Sequence, residues 1–187
     1  MKLKILFIVF ILLFIAVPKS SYAAEEKHSA SSAVLLKSQA QDGINQKDNR
    51  AKILQEFLVS YNSPLASSAK TFVNTADTYQ LDWRLLTAIS GVESTFAHQL
   101  PYNSYNAWGW GIYGDNMIYF KSYDEAISTI SKALRENYID KWGAQNVYQI
   151  GRFYAASPTW ASRVVYFMGK IDEFALKNPA TSLSLSI

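Results

Sequence analysis

Residues 88–114 read AISGVESTFAHQLPYNSYNAWGWGIYG. The first part of this stretch has the spacing of a helix, because apolar residues recur every three or four positions up to Phe96. Glu93 follows Ile89 by four residues, which places its carboxyl on or beside the apolar face of that helix. The second part, residues 100–114, holds five aromatic residues, two asparagines and three glycines. The stretch therefore predicts an apolar helix that ends near one carboxylate and is followed by an irregular aromatic loop.

Helical spacing continues on both sides of this stretch. Apolar positions recur at helical intervals over residues 49–61, 65–79, 122–134, 147–153 and 158–174. Ser122 and Glu125 have the form of a capping box, and Asp82 is expected to cap the helix that follows it. Only residues 117–121 (MIYFK) have the composition of a strand, which would pair with part of the preceding loop. The sequence predicts a mainly α fold with about six helices and a small irregular or β lobe.

The N-terminus, residues 1–23, has the pattern of a secretory signal peptide. Lys2 and Lys4 precede an apolar run over residues 5–17, and residues 21–23 (SYA) offer the small residues of a cleavage site. An uncleaved membrane anchor is the alternative, although this run is short for a transmembrane helix. We therefore expect a secreted or cell-envelope protein, periplasmic or extracellular, which contacts the membrane only if the segment is not cleaved.

Three further segments follow the signal. Residues 24–48 are polar and aperiodic, which predicts a flexible spacer. Residues 49–177 are predicted to form one helical domain, and residues 178–187 a tail. Loss of the three lysines of the signal takes the formal charge from +3 to 0, so the charge gives no reason to expect nucleic acid as a partner. The chain has no cysteine, so neither disulfides nor a lipid-modified cysteine are expected.

Glu93 is the main candidate for catalysis. Partial burial disfavours the charged form of a carboxyl and raises its pKa, so the proton stays available near neutral pH. Such a group suits general acid catalysis, for example protonation of a glycosidic oxygen. The alternative is a solvated or capping glutamate, which is the role of most helical glutamates.

The aromatic loop offers groups that suit a saccharide. Its rings present flat apolar faces to the C–H faces of pyranose rings, and its amides match hydroxyl and N-acetyl groups. The rings are Tyr102, Tyr105, Trp108, Trp110 and Tyr113, and the amides are Asn103 and Asn106. Its glycines allow tight turns and close approach of the backbone. The alternative is that the rings pack a secondary core beneath the loop.

Two segments resemble a known family. DWRLLTAISGVESTF, residues 82–96, is similar to the catalytic helix of the lysozyme-like peptidoglycan-cleaving enzymes, especially the soluble lytic transglycosylase domain. In that helix a glutamate is followed by serine and, two residues further on, by a hydrophobic residue. Glu93, Ser94 and Phe96 match that core. FYAAS, residues 153–157, resembles the later stretch in which a tyrosine reaches the catalytic acid or the sugar, and Tyr154 matches that tyrosine.

The resemblance spans roughly residues 65–168 and has two departures. The family usually has Gly-Leu-Met-Gln after its glutamate, where this chain reads AWGWG over residues 107–111. The asparagine that often follows the later tyrosine is Ala155 here. The bacterial endo-β-N-acetylglucosaminidases of the autolysin type, also lysozyme-like, are therefore a close alternative.

The resemblance implies a lysozyme-like catalytic domain that cleaves the β-1,4 glycan strands of peptidoglycan. Glu93 would protonate the leaving oxygen and then act as base, so that a transglycosylase forms a 1,6-anhydro sugar with one carboxylate. A glucosaminidase or muramidase would hydrolyse the same polymer with two carboxylates. Asp115 is the candidate second acid, although a turn also explains it. The residues expected to contact the glycan are Ser94, Tyr102, Asn103, Asn106, Trp108, Trp110 and Tyr154.

Other functional classes have less support. No metal is expected, because His28 and His98 stand apart and no cysteine accompanies them. No cofactor is expected either, and the chain is expected to be a monomer. A non-catalytic cell-wall-binding module would use the aromatic loop but would leave Glu93 unexplained. Trp160 has the spacing of a core residue and is expected to pack inside.

Overall fold

The computed structural model describes residues 49–111 and 117–178, and all of them belong to one compact unit. The predicted signal peptide and spacer lie outside the described residues. So do the candidate acid Asp115, Tyr113 and all of the predicted tail except Asn178.

The described chain is mainly α-helical, as the apolar spacing predicts. Its elements are α1 (residues 49–60), a 3₁₀ helix (Pro64–Ser68), α2 (Ala69–Thr78), α3 (Leu85–Ser94), α4 (Tyr123–Ala133), a π-helix (Leu134–Lys141), α5 (Val147–Tyr154) and α6 (Trp160–Lys177). Within the described residues, none of these helices is both long and apolar enough to cross a membrane. The prediction of about six helices is confirmed.

Side-chain caps set several of the helix starts. Ser122 Oγ accepts a hydrogen bond from Glu125 N at 3.1 Å and opens α4, as expected for a capping box. Asn146 opens α5 in the same way. Asp82 accepts a bond from Arg84 N at 2.9 Å instead of bonding inside α3, so it forms the turn that precedes that helix.

Residues 117–121, predicted to form a strand, contain no strand, and that prediction is wrong for the described part of the chain. One backbone bond joins Phe120 N to Ser104 O at 2.9 Å. Phe120 is buried in the core, whereas Ile118 and Tyr119 are exposed. The segment therefore fastens one buried ring under the aromatic loop without adding a strand, because a strand needs a ladder of such bonds.

Helix α3 is the central element of the core. Every residue from Leu85 to Gly91 is buried. It packs along α6, while α2 packs on α4 and α5 packs on α6. A helix that is buried all round lies inside a core, so the end of α3 that carries Glu93 is held in place by the whole domain.

Candidate active site

Helix α3 ends in a turn of unusual backbone conformation. Thr95, Phe96 and Ala97 have φ angles of 52°, 56° and 68°, so three successive residues other than glycine are left-handed. Each such residue costs roughly 1–2 kcal/mol relative to the right-handed form. The surrounding structure must hold this turn in place, and strained backbone of this kind is found preferentially at functional sites.

Hydrogen bonds and packing hold the left-handed turn. Ser94 Oγ accepts a bond from Ala97 N at 2.9 Å and donates to Ala107 O at 2.7 Å. Ser63 Oγ donates to Phe96 O at 2.8 Å. The Phe96 ring is fully buried, and a Cβ on Gly91 would lie 2.7 Å from it. Glycine at position 91 therefore makes room for the ring that locks the turn.

Glu93 lies one residue before the last residue of α3 and is half-buried. Trp160 Nε1, at the start of α6, donates a hydrogen bond of 2.6 Å to Glu93 Oε1. Burial raises the pKa of Glu93 above its ordinary value, while the bond from Trp160 and the charge of Arg163 act in the opposite direction. Because Oε1 accepts a bond from an N–H group, the proton of the neutral acid belongs on Oε2.

Gly109 lies against the second carboxyl oxygen. A Cβ at this position would lie 3.0 Å from Glu93 Oε2, and the φ of Gly109 is +60°. Glycine suits this position on both counts, since it adopts positive φ without penalty and has no side chain to push the carboxyl away. The sequence predicts that loop glycines allow close approach of the backbone, and here the group approached is the carboxylate itself.

Tyr154 packs against Trp160, the residue that donates a hydrogen bond to Glu93. Its hydroxyl donates to Trp108 O at 2.8 Å, and its ring stacks on the Trp160 indole with centroids 4.7 Å apart. Burial raises the pKa of Tyr154 well above its ordinary value, and the nearby charge of Glu93 adds to that rise. The phenol therefore stays neutral at working pH. Tyr154 therefore packs on the indole that binds Glu93, while its hydroxyl bonds to the loop backbone.

Three residues expected to contact the glycan instead build the protein interior. Trp108 is fully buried and donates from Nε1 to Leu86 O at 2.8 Å. Asn106 is buried, and its amide bonds to Trp110 N, Trp110 O and Ile118 O. Ser94 is buried beneath the left-handed turn. Their polar atoms bond to backbone groups of α3, of the turn after it and of the loop, so these expectations are corrected: the three residues fasten the loop that carries Gly109 to the end of α3.

The remaining loop candidates are open to solvent to different degrees. Tyr102 has 87% of its surface exposed, and Asn103 is exposed with a φ of 54°. Trp110, directly after Gly109, is half-buried, and its ring lies 5.8 Å from that of Tyr154. Tyr105 is partly exposed and packs edge-on against Tyr123. Among the loop rings that the structure describes, Trp110 is the one in contact with the Tyr154 ring.

Trp160 and Arg163 are the site residues that sequence reasoning missed. The helical spacing correctly predicts that Trp160 is buried, but spacing alone says nothing about its indole N–H. A buried tryptophan needs a partner for that N–H group, and Glu93 supplies the acceptor. Arg163 follows one turn later on α6 and donates to Val92 O at 3.3 Å. A search for acceptors that could pair with each buried indole would have brought Trp160 and Glu93 together.

Glu93 is not accompanied by a cluster of metal ligands in the described part of the chain. Within residues 49–111 and 117–178, no group of three or more histidines and carboxylates is arranged to hold a metal ion. His98 is exposed and lies 2.8 Å from Tyr61 O through its Nε2 atom. Among the described residues, Arg163 is the charged side chain that acts on the pKa of Glu93.

No family model, curated protein or solved structure matches this chain. The fold and site therefore define a mainly α-helical domain with one half-buried glutamate at the C-terminal end of its central helix.

Proposed function

We propose that this protein cleaves the β-1,4 glycan strands of peptidoglycan in the manner of a lytic transglycosylase, with a lysozyme-like catalytic domain and Glu93 as the acid and base. The observation that carries the proposal is the environment of this carboxyl. Burial raises its pKa, Trp160 Nε1 bonds to one oxygen at 2.6 Å, and Gly109 lies against the other without a side chain.

The first step follows from the assignment of the proton. Neutral Glu93 donates the proton on Oε2 to the glycosidic oxygen as the bond between that oxygen and the anomeric carbon breaks. The negative charge that develops on the carboxylate is stabilised by the Trp160 bond to Oε1 and by the charge of Arg163. Both interactions lower the pKa and so favour proton release in the transition state, whereas burial favours the protonated form beforehand.

The second step uses the same carboxylate as base. It takes the proton of the sugar's own C6 hydroxyl, and that oxygen bonds to the anomeric carbon. The product is a 1,6-anhydro sugar, Glu93 is again protonated, and no water is consumed. One carboxylate serves both steps, which agrees with the absence of a second acid among the described residues that act on Glu93.

The test is mass spectrometry of fragments released from purified peptidoglycan. Products that end in 1,6-anhydro-N-acetylmuramic acid are expected. Reducing ends would instead indicate a muramidase or glucosaminidase, which requires a second carboxylate, and Asp115 would then be the first residue to substitute. Binding without release of fragments would indicate a cell-wall-binding module and would refute the catalytic proposal.

A further inference from the structure

Two large aromatic rings lie in contact on the surface, outside the site described above. Trp142, at the end of the π-helix, is 46% exposed, and Phe153, in the last turn of α5, is 50% exposed. Their ring centroids are 5.1 Å apart with an angle of 43° between the planes. Single exposed rings are common, but an exposed pair in mutual contact forms an apolar patch of the kind that marks binding surfaces.

The pair is held from below by Tyr138. This buried ring lies 4.8 Å from Trp142 and 6.3 Å, edge-on, from Phe153. The π-helix bonds Trp142 N to Asn137 O at 2.9 Å, so its wide turn brings residues four apart onto one face. The two exposed rings are thus fixed before any ligand binds, which lowers the entropy cost of binding.

A chain of ring contacts links the exposed pair to Trp110, beside Glu93. Gly109 lies against the carboxyl of Glu93, and the half-buried ring of Trp110 follows it directly. That ring lies 5.9 Å from Tyr138, the ring that supports the exposed pair. The ring contacts are therefore continuous from Trp110, through buried Tyr138, to Trp142.

From this continuity we infer that Trp142 and Phe153 form a second carbohydrate-binding platform, which stacks on sugar rings of the same N-acetylated β-1,4 glycan several units from the bond that Glu93 cleaves. The choice of ligand rests on the proposed function. The rings supply flat apolar faces for pyranose C–H groups. Exposed Lys141 and Arg152 directly precede Trp142 and Phe153 in sequence and carry hydrogen-bond donors that suit hydroxyl and amide oxygens.

The experiment compares β-1,4-linked N-acetylglucosamine oligomers of two lengths, a dimer and a hexamer, by calorimetric titration. The protein carries Glu93→Gln so that no bond is cleaved, and Trp142→Ala and Phe153→Ala are added singly. Each is expected to weaken binding of the hexamer about tenfold and to leave binding of the dimer unchanged. Tyr148→Ala is the matched control, because Tyr148 is 58% exposed on α5 but lies on a different face from Phe153.

Two further measurements make the outcome decisive. Trp142→Phe keeps a ring and is expected to retain hexamer affinity within about threefold, and thermal melting verifies that each variant is folded. Unchanged hexamer affinity in both alanine variants would overturn the platform. The platform would also be overturned if the alanine variants lost as much affinity for the dimer as for the hexamer. The same holds if sedimentation experiments showed that the two rings mediate only self-association of the protein.

The inference and the proposed function fail separately. If the wild-type protein cleaves peptidoglycan but the platform variants bind the hexamer normally, only the platform is refuted. If the platform variants lose hexamer affinity but the wild-type protein releases no fragments, the platform stands and the catalytic proposal is refuted.

Discussion

Helices α3 and α6 lie side by side, and acidic side chains occupy both ends of the pair. At the start of α3, Arg84 binds the carboxylates of Asp82 and Asp172. At the other end of α3, Glu93 accepts a bond from an indole N–H and is approached by the charge of exposed Arg163. Ion pairs of Arg84 therefore join the two helices at one end. At the other end, the described residues place no cation in a direct bond with the Glu93 carboxyl.

The pKa values move in opposite directions at the two ends. Burial alone would raise the pKa of Asp82, but the hydrogen bonds and charge of Arg84 outweigh it and lower that pKa. Burial outweighs the opposing contacts at Glu93, and its pKa is raised. An ion pair makes a carboxylate a stable anion, whereas an indole leaves it able to hold and release a proton. Four substitutions test this contrast.

Glu93→Gln is expected to have the largest effect. It removes the proton that the proposed mechanism transfers, so release of fragments from peptidoglycan should fall by about a thousandfold or more, within the range for loss of general acid catalysis. Asp172→Asn at the opposite end of the pair is the control and should keep activity within about twofold. If Glu93→Gln and Asp172→Asn reduced the release of fragments to a similar extent, Glu93 would have no special role in catalysis.

The same substitution has a predicted effect on stability. The pKa of Glu93 is raised in the folded state, so wild-type stability falls as pH rises from the unfolded pKa through the folded pKa. Glu93→Gln removes this dependence and should unfold at an equal or higher temperature than the wild type at neutral pH. Thermal melts at acidic and neutral pH measure the difference, and a lower melting temperature at neutral pH would contradict the burial of an unpaired acid.

Gly109→Ala is expected to lower activity about tenfold or more, because the new Cβ displaces the oxygen that carries the proton. It should also cost about 1–2 kcal/mol of stability, since alanine is strained at positive φ. Gly143→Ala separates these effects, because Gly143 has a φ of +73° and nothing lies within 4 Å of its Cβ position. It should lose similar stability but keep activity. If Gly109→Ala and Gly143→Ala lost activity equally, the loss would come from backbone strain at positive φ and not from contact between the new Cβ and Glu93.

Trp160→Phe keeps a buried ring and removes the N–H bond to Glu93. That bond lowers the pKa of Glu93, so its loss should raise the pKa further. A general acid is active below its pKa and loses activity as pH rises through it, so the alkaline limb of the pH–rate profile should move to higher pH. The maximal rate should fall, because the carboxylate formed on proton release loses a donor. If the alkaline limb of the variant's pH–rate profile stayed at the wild-type pH, that limb would not reflect the titration of Glu93.

Arg84→Gln is expected to have the smallest effect and none on catalysis. Its partners are partly exposed, so the loss of stability should be about 0.5–1 kcal/mol. The lowered pKa of Asp82 contributes stability above its unfolded pKa, and this contribution is lost as pH falls through the folded pKa. The difference in free energy of unfolding between variant and wild type should therefore shrink as pH falls. Denaturation curves recorded at neutral and at strongly acidic pH measure this difference. If the difference in free energy of unfolding grew as pH fell, the lowered pKa of Asp82 would be contradicted.

Sequence periodicity predicted the helices and the position of Glu93, because both depend on local spacing. It did not predict the burial of Trp108, Asn106 and Ser94. Whether a loop ring faces solvent or the interior depends on contacts distant in sequence, such as the bond from Trp108 to Leu86 O. The strand predicted at residues 117–121 was wrong for a related reason. Its composition suits a strand, but no partner in the described chain supplies a ladder.

The bond between Trp160 and Glu93 also gives the protein an internal optical reporter. Indole emission depends on the charge and hydrogen bonding around the ring, and this indole donates directly to the titrating carboxyl at 2.6 Å. The difference between the fluorescence of wild-type protein and that of Trp160→Phe, followed across pH, would trace the protonation of Glu93 without any substrate. A change in that signal on adding glycan fragments would report binding beside Glu93 in real time.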